Sequence, residues 1–373
     1  LEKHLHIVCL DVPYPVDYGG VFDLYYKLPA LQAAGVQIYL HCFEYGRGEQ
    51  PALNQFCKEV HYYERQKGHK GMSHNLPYIV ASRANPLLYE RLLQDDYPIL
   101  LEGIHCTHLL LDDRFAHRKI FLRLHNTEYQ YYCQLAQSSN SLVKKLYYWN
   151  ESRLLKKYEA AIANKCTILA VSDQDVYTYR KEFNAKKVAQ LPVFLPFKSV
   201  NSLPGAGCFC LYHGNLSVSE NEAAVEWLLR DVFNKLPVPF IIAGKNPSDR
   251  LQRHIAHHKH ACLVANPSEE EMQDMIAKAQ INVVPSFNNT GIKLKLLNAL
   301  FSGRHCIVND AAVKGSGLES ACHVGTTPNA FREIIAQLYH MPFAPEEIQL
   351  RKMLLQDTFN NERNASRLIQ WIW

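Results

Sequence analysis

Residues 291–308, G-I-K-L-K-L-L-N-A-L-F-S-G-R-H-C-I-V, join a glycine, two lysines and an amphipathic helical repeat that closes at a second glycine before an apolar strand. Such a segment can hold phosphate. Gly291 lets backbone approach an anion, the first-turn N–H groups of a helix have no intrahelical acceptor, and Lys293 and Lys295 add ammonium groups at the positive end of the helix dipole. Leu294, Leu297, Leu300 and Phe301 recur at helical spacing and would bury the opposite face. A solvated polar face would look the same on its own, so the neighbouring loops carry weight.

Several of those loops bear polar groups directly after apolar runs. R-L-H-N-T-E places His125, Asn126 and Glu128 after the run Lys119–Leu124, and Glu102 closes the run before it in L-L-E-G-I-H. P-Y-P-V-D-Y-G-G supplies the glycine pair Gly19 and Gly20 ahead of a helical pattern over Val21–Ala34. It is not G-x-G-x-x-G, and the chain has no Walker sequence, which disfavours a dinucleotide dehydrogenase or a P-loop enzyme. Asp173-Gln174-Asp175 invites a metal-binding reading, but Ser172 and Asp173 stand immediately before a helical run and read better as an N-cap. Further on, His213-Gly214-Asn215 and Gly244-Lys245 end strand patterns, Asn266-Pro267-Ser268-Glu269 precedes a helical one, and all would line the same sheet edge as Gly291, Lys293 and Lys295.

Those loops need two sheets to hold them. A chain of 373 residues exceeds one ordinary core, and 47% hydrophobic with 20% charged residues fits a globular protein. The net charge of +4 without a basic run argues against nucleic acid binding by bulk electrostatics. Eleven cysteines, scattered singly in apolar segments, read as reduced thiols of a cytoplasmic protein. His254, His257, His258 and His260 resemble a ligand set without a second anchored half, so no metal site is expected. No apolar run approaches a membrane span, and the start L-E-K-H-L-H-I-V-C-L leads into a strand rather than a signal peptide.

Strand patterns over 6–11, 36–43, 59–63, 99–102, 119–124 and 167–171 alternate with helical ones, and a second alternation runs over 208–309. This is the text of two α/β domains with doubly wound parallel sheets, ligands expected at the carboxyl ends of their strands. The Pro- and Gly-rich stretch 191–207 separates them, giving domains over 1–195 and 196–354, with the C-terminal helix 355–373 crossing back to the first. The helix Ser141–Asn164 carries Lys144, Lys145, Tyr147, Tyr148, Trp149, Lys156 and Lys157. It reads either as a solvated face or as a peripheral contact with the inner membrane surface.

With P-Y-P-V-D-Y-G-G, R-L-H-N-T-E, L-A-V-S-D-Q-D, Y-H-G-N-L-S-V-S-E-N-E-A-A-V-E-W-L and G-I-K-L-K-L-L-N-A-L-F-S-G in place, the chain resembles the retaining glycosyltransferases of group 1, family 4. The resemblance covers almost the whole chain and implies the GT-B fold, two Rossmann-like domains facing across a cleft. It implies that Gly19 and Gly20 approach donor phosphate and acceptor, that His125 contacts the reacting sugars, and that Lys295 meets the diphosphate; Glu102 reads either as another active-site wall that helps orient donor or acceptor, or as a cap on the next helix. Gly214, Asn266, Ile292 and Leu296 would border the nucleoside; where many relatives place a basic residue after the Gly214 loop this chain has Asn215 and Ser217, with Lys245 as the expected substitute. The family's pair of glutamates around this helix is replaced by Thr290 and Asn298. The expected activity is metal-independent, cofactor-free transfer of a sugar from a nucleotide-diphosphate donor to a hydroxyl of a glycan or lipid-linked saccharide, in polysaccharide biosynthesis. The alternative is a relative that binds a nucleotide sugar or glycan without turnover.

Overall fold

The computed structural model describes residues 2–16, 19–44, 46–139, 141–288 and 290–373. They form two compact units, Leu1–Pro196 with Phe359–Trp373, and Phe197–Thr358.

Unit 1 is built on strands β1 (Lys3–Cys9), β2 (Val36–Glu44), β3 (Glu59–Glu64), β4 (Ile99–Glu102), β5 (Ile120–Leu124), β6 (Thr167–Ala170) and β7 (Val188–Gln190). All pair in parallel in the order β3-β2-β1-β4-β5-β6-β7. Parallel strands covered on both faces must be apolar throughout, and β4 and β5 are buried at every residue. Successive side chains feed opposite cores: Ile99 and Leu101 join one cluster and Leu100 the other. The helices are α1 (Gly19–Ala33), α2 (Tyr78–Ala81), α3 (Pro86–Leu92), α4 (Glu128–Ser138), α5 (Leu142–Ile162) and α6 (Asp173–Phe183).

Unit 2 carries β8 (Cys210–Asn215), β9 (Phe240–Lys245), β10 (Ala261–Ala265), β11 (Ile281–Val283), β12 (His305–Val308) and β13 (His323–Val324), parallel in the order β10-β9-β8-β11-β12-β13. Its helices are α7 (Ser219–Trp227), α8 (Asp249–Ala256), α9 (Glu269–Lys278), α10 (Leu294–Ser302), α11 (Asp310–Val313), α12 (Pro328–Tyr339) and α13 (Pro345–Leu355). In each sheet the order reverses beside the first strand, between β1 and β4 and between β8 and β11. Crevices outside the carboxyl ends of strands form at such reversals, which is where the polar loops fall.

The last helix, α14 (Asn361–Ile372), belongs to unit 1. Its Ala365, Leu368, Ile369 and Ile372 share a core with Leu24, Leu28 and Leu31 of α1. Each fully buried leucine or isoleucine contributes roughly 1.5–3 kcal/mol, enough for three such residues to hold the helix. Asn361 fixes the crossing point: its Nδ2 donates to Leu195 O at 2.7 Å and its Oδ1 accepts from Leu195 N at 3.0 Å.

Two elements differ from the sequence expectation. The helix expected from Gly291 starts only at Leu294, because Gly291 is in the left-handed region at φ 62° and Lys293 is extended. The C-terminal helix expected over 355–373 starts only at Asn361, since α13 ends at Leu355 and Asn360 caps α14 through Arg363 N. Beyond α7 the chain turns into a π-helical segment at Leu228–Val232.

β8 and β9 approach so closely that a Cβ on Gly244 would lie 1.9 Å from Gly214 O and 2.8 Å from Leu216 Cγ. Gly244→Ala is therefore expected to destabilise the protein by about 1–3 kcal/mol. Chemical denaturation measures this, and an unchanged midpoint would show that the strands can part at no cost.

Candidate functional site

In unit 1, β4 ends at Glu102, and the chain turns sharply because Gly103 adopts φ 85°. β5 ends at Leu124, so His125 emerges next to it, and His125 Nε2 is 3.0 Å from Glu102 Oε2. A carboxylate accepts, so Nε2 donates; in the neutral ring that tautomer leaves the Nδ1 lone pair open. Behind Glu102 lies a chain of buried charges. Lys27 Nζ pairs with Glu102 Oε1 and, at 3.1 Å, with Asp23 Oδ2, and Asp23 accepts two bonds of 2.8 Å from Arg123. Asp23 and Lys27 stand one turn apart on α1, while Arg123 is the single charge within β5. Two cations face two carboxylates, so the group is neutral with His125 uncharged. Burial raises both acids, but Arg123 and Lys27 outweigh it at Asp23, and Lys27 with His125 outweighs it at Glu102; both are held below their ordinary range. Arg123 also donates to Leu191 O and to Pro192 O, and Phe194 N donates to Asp23, so the same charges fix the segment leaving unit 1.

The residues after His125 are equally constrained. Asp175 Oδ1 accepts from Thr127 N at 3.0 Å and Thr127 Oγ1 at 2.8 Å, and Glu159 takes the amides of Glu128 and Tyr129 at the start of α4. Ser172 caps α6 through Asp175 N, so the D-Q-D tripeptide is a capping device. Burial, with Glu159 adding repulsion, pushes the Glu128 carboxyl up to about 8, and burial takes Glu159 up to about 7.

In unit 2, Lys295 is the second residue of α10 and its ammonium reaches across the reversal between β11 and β8. It donates to Asn221 Oδ1 at 3.0 Å and Tyr212 Oη at 3.2 Å, 4.9 Å from the Tyr212 ring centre. Asn221 is the hub, since its Nδ2 donates to Asn215 O at 2.9 Å and thereby ties the loop after β8 to α10. Burial, helped by Lys293 and opposed by Glu220, lowers Lys295 to about 8. His213, at the end of β8, is taken down to about 3 by burial and then by Lys295, and its Nε2 has no partner among the described residues.

The loop before α10 is built rather than loose. Ser286 N donates to Asn309 Oδ1 at 2.9 Å, Ser286 Oγ to Glu220 Oε1 at 3.0 Å, and Thr290 Oγ1 to Asn288 Oδ1 at 2.8 Å. Lys293 Nζ donates to Thr290 O at 2.7 Å. Thr290 is thus turned into the loop, buried, and Asn298 stands one turn inside α10, taking a weak bond from Ser302 Oγ at 3.4 Å. Ile292 is half-buried and Leu296 buried. Lys245 ends β9 and Asn266 follows β10: Lys245 pairs in register with Asn215, and Asn266, at φ 54°, donates its N–H to Gly244 O. Both are exposed. In unit 1, Gly19 and Gly20 are the first two residues of α1 rather than loop residues, while Asp17 and Tyr18 of the same motif lie outside the described residues.

Residues 208–341 match the family described as glycosyl transferases group 1. That segment is a group 1 glycosyltransferase domain. A Klebsiella pneumoniae protein described as an uncharacterized 44.6 kDa protein in the cps region is 28% identical over 334 residues, 83% of this chain and 84% of that one. The fold of the whole chain is that of sucrose-phosphate synthase from Thermosynechococcus elongatus, with TM-score 0.73 at 15% identity over 99% of this chain and 98% of that one. It is also that of S. aureus TarM, a mutant solved with fondaparinux, alpha-GlcNAc-glycerol and UDP, with TM-score 0.71 at 9% identity over 99% of both chains. These are two-domain GT-B structures, and the two parallel sheets here have the same architecture.

Two groups among the described residues bring three side chains able to ligate a metal close together: Asp23–Glu102–His125 and His305–His323–Glu347. In the first, the carboxylates already hold Lys27 as their cation. In the second, His305 Nε2 donates to Met341 O at 2.9 Å and Nδ1 is 3.8 Å from Glu347. Sequence reasoning passed over Asp23, Lys27, Arg123, Asn221 and Glu220. Arg123 carried a usable signal, a charge inside an apolar parallel strand, which demands a buried partner.

Glu128 sets a pH dependence of stability. Its carboxyl is raised on folding, so the stabilisation present below its unfolded value of 4.5 is lost as pH rises through about 8. Glu128→Gln is expected to leave the melting temperature near that of the parent at pH 5 and above it at pH 8.5; an offset that does not grow with pH would refute the buried, protonated carboxyl.

Proposed function

We propose that the glycosyltransferase moves a sugar from a nucleotide-diphosphate donor to a hydroxyl acceptor with retention and without a metal ion. Lys295 carries this reading. A lysine at the start of a helix, pinned by Tyr212 and Asn221, is a fixed cation for a leaving diphosphate. The α10 amides and Lys293 add to it. The acceptor oxygen forms the new bond to the anomeric carbon, the bond from that carbon to the diphosphate oxygen breaks, and the acceptor proton passes to the departing oxygen on the same face. No protein nucleophile is required. His125, with its tautomer set by Glu102, orients a sugar hydroxyl through Nδ1.

Uridine diphosphate sugars are the first donors to test, because TarM was solved with UDP. The cps-region relative supports an acceptor in polysaccharide assembly. The cytoplasmic side of the cell, where nucleotide sugars are made, is the fitting location, and no described helix is long and apolar enough to cross a membrane.

A second reading, binding without turnover, is favoured by Thr290, whose hydroxyl is committed to Asn288 and whose position lacks a carboxylate for the donor sugar. The two part on one assay. Donor hydrolysis and transfer are measured across nucleotide sugars and acceptors; binding with no product in any combination favours the second reading.

If the transfer reading holds, Lys295→Ala should lower kcat/KM by about 100- to 1,000-fold. The parent's kcat/KM should fall above pH 8 as the Lys295 ammonium loses its proton. Lys295→Arg, whose guanidinium stays charged, should lose that limb. A limb that survives in Lys295→Arg belongs to another group.

A further inference from the structure

We propose that the amino-terminal end of α5 is a docking surface for an anionic lipid bilayer. In this helix Leu142 is 79% exposed, Val143 78%, Leu146 67% and Trp149 54%. Aliphatic side chains this large are rarely left so open in a row, and of residues 142–150 only Tyr148 is half-buried, the rest being exposed. Leu142, Leu146 and Trp149 fall at i, i+4 and i+7, one stripe along the helix. The same helix buries Ser152, Leu155, Tyr158, Glu159 and Ile162 on its opposite side, so the stripe faces away from unit 1.

The charges around the stripe are of one sign. Lys144, Lys145, Arg153, Lys156 and Lys157 are exposed, while the acids of the helix, Glu151 and Glu159, are buried. Glu151 accepts from Tyr78 N at 2.8 Å, and Glu159 accepts from the start of α4, so neither offsets the cations at the surface. Arg153 lies over the Trp149 ring at 5.0 Å, and Lys156 is 3.8 Å from Glu182 Oε2 at the far end. An apolar stripe tipped by tryptophan and collared by lysine and arginine suits an interface where acyl chains lie beneath anionic headgroups. A second copy of the chain fits poorly, because two such faces would oppose their cations.

The surface goes beyond sugar transfer, and its consequence, an acceptor carried on a lipid, rests on the transfer reading above. The full chain is co-sedimented with vesicles of phosphatidylcholine alone and of phosphatidylcholine with 30% phosphatidylglycerol, an assay composition chosen to supply roughly the anionic charge of a bacterial inner leaflet. Leu142→Glu/Leu146→Glu serves as the variant, both positions being exposed, and UDP binding is followed alongside. The parent should bind the anionic vesicles at least about tenfold more tightly than the neutral ones, less so in high salt, and the variant should lose that binding. Absence of parental binding to anionic vesicles at low salt, or undiminished binding by the variant, overturns the proposal. So does sedimentation of the parent, but not the variant, as a dimer without lipid, which would assign the face to a second copy. Since vesicle binding needs no donor or acceptor, its failure leaves the transfer reading standing, and the reverse holds too.

Discussion

A neutral chain of buried charges, Arg123–Asp23–Lys27–Glu102–His125, governs unit 1. Taking two carboxylates and two cations out of water is costly, and only their mutual pairing offsets it. Each member therefore depends on all the others, and removing one would strand an opposite charge in the core. The chain has three outputs. It ties α1 to β4 and β5, it holds the exit segment at Leu191, Pro192 and Phe194, and it presents His125 in one tautomer.

Unit 2 solves a related problem with fewer charges. Lys295 is half-buried with only neutral hydrogen-bond partners, Tyr212 and Asn221, and the nearest acid felt by it is Glu220, itself engaged by Ser286. A lysine in that state has its charged form weakened, and an incoming anion restores it. The contrast between the units is chemical: unit 1 compensates its charges internally and orients, whereas unit 2 leaves a cation undercompensated at a helix start. In the proposed transfer, that cation is the group that meets the leaving diphosphate.

The parallel sheets were legible because strands covered on both faces leave unbroken apolar runs, as in Ile99–Glu102 and Ile120–Leu124, and helices between them keep their period. The positions of His125, Glu102 and Lys295 at strand and helix ends followed from that alternation. Their partners did not. Asp23 and Lys27 look like the polar face of α1, and only the tertiary fold shows that this face meets Arg123 and Glu102. Similarly, the start of α10 is set by Asn288, Thr290 and Gly291 acting together, which no helical period reveals. The short β7 and β13, of three and two residues, carry too little pattern to separate from loops.

Proton uptake on nucleotide binding tests the role of Lys295 most directly. Free Lys295 titrates near 8, so a diphosphate that pairs with it at pH 8 should draw in about half a proton per site, seen calorimetrically as a dependence of binding heat on buffer ionisation enthalpy. With chelator present to remove divalent ions, uridine diphosphate should bind with that uptake in the parent and without it in Lys295→Arg. Binding that requires magnesium, or uptake that persists unchanged in Lys295→Arg, would contradict a diphosphate held by this lysine.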